Sequence, residues 1–214
     1  MARLFRYVAF GDSTAVGVGA SAGGGYPERI WQRLRGTGVN AGFLNLGESG
    51  ATAADLLETQ LARRIAAAEL VTVGIGSNDL WRLTAREDFR ATLESIAQRL
   101  VHLKAPVIVC NLIDLSHAPA ARWALPSLGV PGELLSARVR DFDAELAEMS
   151  TRHRFQLCDI HALGEAELRN APDYFSSDGF HPSAKGYARW AEVLWEQVRP
   201  ISEAWAASEA SPLS

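Results

Sequence analysis

The chain has two cysteines in 214 residues, no apolar run long enough to span a bilayer, and no block of basic residues. Cys110 and Cys158 each sit inside an apolar stretch ("PVIVCNL" and "FQLCDI"), which predicts two reduced core thiols and no disulfide framework. No segment reaches the roughly 18 apolar residues that a membrane span requires. The start, "MARLFRYVAFGDS", lacks the long apolar segment of a secretory signal, so the sequence as given predicts a cytoplasmic protein. Lys and Arg number 21 against 25 Asp and Glu, a net charge of −4, and the cations are scattered. Phosphate backbones are held by clustered Lys and Arg, so this charge pattern argues against a nucleic-acid partner. No internal repeat and no linker divides the chain.

What is present is an ordinary soluble composition, 48% hydrophobic and 21% charged, with length enough for one domain and a sizeable core. Short apolar runs ("FRYVAF", "GFLNL", "LVTVGIG", "PVIVCNL", "RFQLCDI") read as strands. Helical patterns lie between them, over 27–36, 52–68, 86–103, 131–153 and 181–198. In 52–68, Leu56, Leu57, Leu61 and Ile65 share roughly one face. Strands apolar on both faces and alternating with helices predict a parallel sheet of about five strands covered on two sides. The expected architecture is a single-domain α/β/α sandwich over 1–205, with 206–214 a flexible tail. The proline-punctuated segment 113–131 reads as a surface loop with a functional role.

Ligands of an open parallel sheet bind beyond the carboxyl ends of its strands, and four short motifs follow predicted strands. They are Gly11-Asp12-Ser13, "NLGESG" (45–50), "GSND" (76–79) and "DGFHP" (178–182). A serine hydroxyl needs a base to become a nucleophile, and His181 is the candidate. Asp178, three residues earlier across a turn at Gly179, can orient the imidazole and stabilise its charged form. Acyl transfer also needs donors for the developing oxyanion, and the backbone N–H groups of Ser13 and Gly47 and the Asn78 amide are suited to that. Each residue has a plainer reading, since Ser13 can cap a helix and Asn78 can serve a turn; it is the set that points to acyl transfer.

At these motifs the chain resembles the SGNH hydrolases, the GDSL-type esterases and lipases. Gly11-Asp12-Ser13, Gly47, Asn78 and Asp178…His181 match the family's motifs in family order. Thr14 stands where many members have leucine. The chain looks most like the lysophospholipase and thioesterase-like branch. The resemblance implies a flavodoxin-like sheet and cofactor-free hydrolysis of a small acyl ester or thioester. It leaves the physiological substrate and the oligomeric state open.

Two readings of another class use the same residues. One is a dinucleotide-binding oxidoreductase, for which Gly17, Gly19 and Gly23 form a G-x-G-x-x-x-G run, but they begin several residues past the strand, and neither a Walker lysine nor a clear ribose-binding acid accompanies them. These glycines are expected to keep the loop behind Ser13 small and mobile. The other reading is a non-catalytic binding module, against which stands the retention of every catalytic element. A metal site from Asp159 and His161 with Asp178 and His181 lacks the tight ligand cluster that metals require. Trp81, Trp123 and Leu125 are the expected acyl-chain contacts. The apolar character of 113–131 favours short to medium acyl chains over acetylated sugars, the substrates of a carbohydrate deacetylase on the same fold.

Overall fold

The computed structural model describes residues 3–127, 129, 131–167 and 171–210. Five strands form where Val, Ile, Leu and aromatic residues run together: β1 (Phe5–Gly11), β2 (Ala41–Asn45), β3 (Leu70–Gly74), β4 (Val107–Cys110) and β5 (Gln156–Cys158). All pair in parallel, in the order β2-β1-β3-β4-β5. Their carboxyl ends are in register, with Gly11 opposite Gly74, Gly74 opposite Cys110 and Cys110 opposite Cys158. From β1 the chain turns to one side for β2 and to the other for β3, so a crevice opens at the β1/β3 edge.

Helices cover both faces, as the two-sided apolar strands require. On one side α2 (Tyr26–Gly36) and α9 (Ala184–Ala210) pack over Tyr7, Ala9, Ile108 and Cys110. On the other, α5 (Arg86–Val101) and α7 (Gly132–His153) cover Val8, Phe10, Val73 and Val109, with Phe89 stacked on Phe142 at 4.1 Å. The result is one three-layer α/β/α domain. Both cysteines are buried and free, as expected.

Three expectations are corrected. The helix predicted over 52–68 is short: α3 (Ala53–Asp55) passes into a single π-helical turn (Leu56–Gln60) and stops. That wider turn delivers the fully buried Gln60 amide to the end of β1, where it accepts from Gly11 N–H (3.0 Å) and donates to Gly11 C=O (2.8 Å). Leu57, Leu61 and Ile65 still pack on the core without a continuous helix. Within the segment 113–131, residues 115–127 are not a surface loop, because Leu115, Ala118, Ala121 and Leu125 recur at helical spacing and are buried. They sit in a 3₁₀ turn (Leu115–His117) and α6 (Ala121–Ser127). Finally, α9 runs to Ala210, so 206–210 is helix where a tail was expected. The Arg3 N–H bonds Glu209 Oε2 at 2.7 Å, and the Arg3 guanidinium lies 4.3 Å from the Trp205 ring, which ties this end to β1. Residues 211–214 lie outside the described residues.

Gln60→Ala deletes a buried amide and orphans the Gly11 N–H, which together cost about 2–4 kcal/mol. Urea unfolding should show the midpoint falling with an unchanged slope; a loss near zero would show that the Gln60 contact is dispensable.

Candidate active site

Three of the four motifs begin at the aligned carboxyl edge of the sheet, after β1, β2 and β3, and the fourth, 178–182, comes well after β5 and returns to that edge through His181. After β1, Asp12 caps a single helical turn, α1 (Ser13–Val16), by accepting from the Thr14 N–H at 2.9 Å. Ser13 thereby occupies the first position of the turn, where a backbone N–H has no intrahelical acceptor. Thr14, where leucine is common in the resembling family, also donates its hydroxyl to Asp12 Oδ1 at 2.7 Å. Asp12 is buried, and desolvation pushes its carboxyl upward against the Thr14 bonds and the attraction of His181.

The Ser13 hydroxyl lies 2.9 Å from His181 Nε2, and His181 Nδ1 lies 2.7 Å from Asp178 Oδ2. Asp178 Oδ1 also accepts from the Ser176 hydroxyl and from the N–H groups of Phe180 and His181, all within 2.9 Å. Partial burial pushes Asp178 up. The His181 ring and these donors outweigh it and hold the carboxyl well below the usual carboxylate range. An ionised Asp178 fixes the imidazole proton on Nδ1 and leaves Nε2 to accept from serine. The turn is braced from both sides: Ser176 N–H bonds His181 C=O at 2.8 Å, and Ala120 N–H bonds Gly179 C=O at 3.0 Å.

In the glycine run behind Ser13, Gly17 and Gly19 sit where a Cβ has no room. A Cβ on Gly19 would lie 2.6 Å from Pro182 O and 2.9 Å from His181 Cβ, so glycine is required for the loop to press against the base.

Asn78 opens the short helix α4 (Ser77–Trp81) after β3. One amide hydrogen is bonded to Ala51 C=O at 2.9 Å, and the amide has a second. Asn78 and Ser13 line one cavity together with His181. Gly47 comes close to α1, where a Cβ would meet Ala15 Cβ at 2.7 Å, but its N–H is bonded to Asn45 Oδ1 at 3.0 Å. Three supporting residues escaped the sequence reading. Asn45 also donates to Ala15 C=O, Asp79 accepts from Ala53 N–H, and Asn111 accepts from the first N–H groups of α8 (Ile160–Glu167). Asp79 and Asn45 stood inside the 76–79 and 45–50 motifs, whereas Asn111 carried no local signal.

The cavity wall differs from the expected one. It is apolar, with Ile75, Leu112, Ile113, Leu115, Leu163 and Trp190 along it. Leu125 is 5% exposed and belongs to the core. Trp81 backs Phe180 at 5.8 Å, and Phe180 in turn meets the His181 ring edge-on at 5.0 Å. Trp123 falls in α6, with its side chain outside the described residues. His161 pairs with Asp143 at 2.8 Å, apart from the His181 turn. Among the described residues no cluster of three His, Cys, Asp or Glu is placed to hold a metal, and no helix is long and apolar enough to cross a membrane.

The model of the GDSL-like lipase/acylhydrolase family matches residues 9–189. The chain belongs to this family. It is accordingly a carboxylic ester hydrolase. No curated protein matches it. Among solved structures, this family member is similar to AlinE4, described as an SGNH-hydrolase family esterase, at 27% identity over 99% of this chain and 100% of that one, with a TM-score of 0.65. TesA matches at 21% identity over 92% and 99% of the two chains, with a TM-score of 0.72. A variant of Axe2, an acetyl xylan esterase from Geobacillus stearothermophilus, matches at 18% over 91% and 94%, also at 0.72. The last two likenesses concern the fold.

The state of Asp178 sets an expectation for pH. With its carboxyl held low, Asp178 should contribute no step to the acid limb of ester hydrolysis in the ordinary carboxylate range. A carboxylate-range step in kcat/KM that persists in Asp12→Asn, which removes the other carboxyl beside His181, would show that Asp178 protonates within that range.

Proposed function

We propose that Ser13 is the nucleophile, His181 its base and Asp178 the orienting acid of an esterase for short to medium acyl chains. The observation that carries this is the hydrogen-bonded relay of 2.9 and 2.7 Å opening on an apolar cavity. Ser13 Oγ attacks the carbonyl carbon while its proton passes to His181 Nε2. The tetrahedral oxyanion takes hydrogen bonds from the Ser13 N–H and the Asn78 amide, with Gly47 N–H a third donor once it is shared with Asn45. Collapse expels the alcohol, which leaves with the proton from His181, and water repeats the sequence on the acyl-serine. A thioester carbonyl presents the same oxygen to the same donors.

Chain length is set by the wall. Each buried methylene contributes about 0.8 kcal/mol, roughly a fourfold gain, until the cavity is full. The kcat/KM for aryl esters is therefore expected to climb from acetyl towards butanoyl or hexanoyl. Leu163→Trp, which fills the cavity from α8, should move the optimum to shorter chains. Preference for acetyl over every longer chain would replace this reading with a deacetylase, the activity in the name of Axe2.

The roles of the residues are tested separately. Ser13→Ala should abolish fluorophosphonate labelling and lower kcat by on the order of 10⁴-fold in a folded protein. Asn78→Ala should cost about 10²–10³ in kcat with KM little changed. Full turnover in folded Ser13→Ala protein would reject the assignment, and a pure KM effect would move Asn78 into substrate binding.

A further inference from the structure

One carboxylate joins two of the segments that carry the cavity wall. Asp143 stands on α7, a helix whose Val139, Phe142 and Leu146 are buried in the core. Its Oδ1 accepts from the Leu112 N–H at 2.8 Å, just past β4. Its Oδ2 lies 2.8 Å from His161 Nδ1, in the first turn of α8. Leu112 and Ile113 line the cavity from the first segment and Leu163 from the second. The segments touch, since a Cβ on Gly164 would lie 3.3 Å from Ile113 Cγ2. Asn111 accepts from the first N–H groups of α8 and donates to Asp159 Oδ1, which in turn accepts from Ala162 N–H. Those bonds tie the two segments to each other, whereas Asp143 ties both of them to the core helix.

The two arms differ in kind. The Leu112 arm is a hydrogen bond, which a neutral oxygen also accepts. The His161 arm is a close ion contact, because Nδ1 is buried and has no hydrogen bond in line. It therefore depends on the charge of the carboxylate. We infer that the Asp143–His161 contact sets the chain-length preference of the site by holding Leu163 against the acyl chain, so that both are positioning residues for specificity. This rests on the esterase reading above and names residues that determine its acyl preference. A neutral Asp143 lets go of α8, and a longer chain then loses contact that an acetyl group never makes. The charged groups facing Asp143 are His161 on α8 and Asp159 just before it. Burial, with Asp159 adding to it, pushes the carboxyl up to about 6 against the Leu112 N–H and His161. The contact is thus complete above that pH and is lost as pH falls through it.

The test follows the ratio of kcat/KM for an aryl hexanoate to that for the aryl acetate. Both substrates report the same free enzyme, so the ionisation of His181 cancels in the ratio. From about pH 8 down to about pH 5 the wild-type ratio should fall by roughly fourfold, the worth of one methylene of contact. Asp143→Asn keeps an oxygen for the Leu112 N–H and removes the charge, so its ratio should be low at every pH. His161→Ala should lower the ratio to the same value, and the double variant should match either single one, because a single contact is being removed. A wild-type ratio that is level with pH overturns the inference while leaving the esterase reading intact. So does an Asp143→Asn protein whose ratio equals that of the wild type at about pH 8, since both rates falling in proportion mark a purely structural role. Hydrolysis of neither ester would instead count against the esterase reading and take this inference with it. Should Asp143→Asn fail to fold, the wild-type pH series decides.

Discussion

Everything at this site depends on how the backbone is satisfied where a parallel sheet ends. At the carboxyl edge the strands stop pairing, yet the chain stays buried, and each N–H or C=O left there needs a partner. Here the partners are short polar side chains reaching across from a neighbouring loop. Gln60 holds Gly11, Asn45 holds Gly47 and Ala15, Asp79 holds Ala53, and Asn111 holds the start of α8. Asp143 does the same for the Leu112 N–H. The loops that carry Ser13, Asn78 and the cavity wall are therefore fixed by one another, and the geometry of the reacting groups follows from that mutual bracing.

The same edge sorts its carboxylates by what each receives in exchange for water. Asp178 gathers donors from a serine, two backbone N–H groups and an imidazole, and stays ionised. Asp143 has the Leu112 N–H and His161, and desolvation prevails, pushing it up to about 6. Asp12 lies on the desolvated side as well, with the Thr14 hydroxyl adding to its backbone donor. A leucine in place of Thr14 would take that hydroxyl bond away from the buried carboxylate.

The strands, the layer order and the Ser13 and Asn78 positions were legible because they rest on local signals, apolar runs bounded by glycine and motifs directly after them, and His181 because an acid stands three residues before it across a glycine turn. What escaped depends on contacts distant in sequence. Leu61 donates its N–H to Leu56 C=O in the π turn, and nothing in the 52–68 pattern distinguishes that from an α-helix. Gln60 finds its partner 49 residues away. The wall was misread for a related reason: the prolines of 113–131 suggested a loop, while the buried spacing of Leu115, Ala118, Ala121 and Leu125 made a core element. Leu163 and Trp190, which do face the cavity, sit on α8 and α9, far along the chain.

The bond from Ala120 N–H to Gly179 C=O joins the segment leading into α6 to the turn between Asp178 and His181. Gly179 has φ +68°, and a Cβ there would lie 3.0 Å from Ala120 N, so the two backbones touch without room for a spacer. In many enzymes a loop beside the site can be exchanged as a cassette to retarget the scaffold. In this one such a graft would also reposition the acid and base, so inherited or engineered changes of the α6 region must arise together with compensating changes in the 176–182 turn.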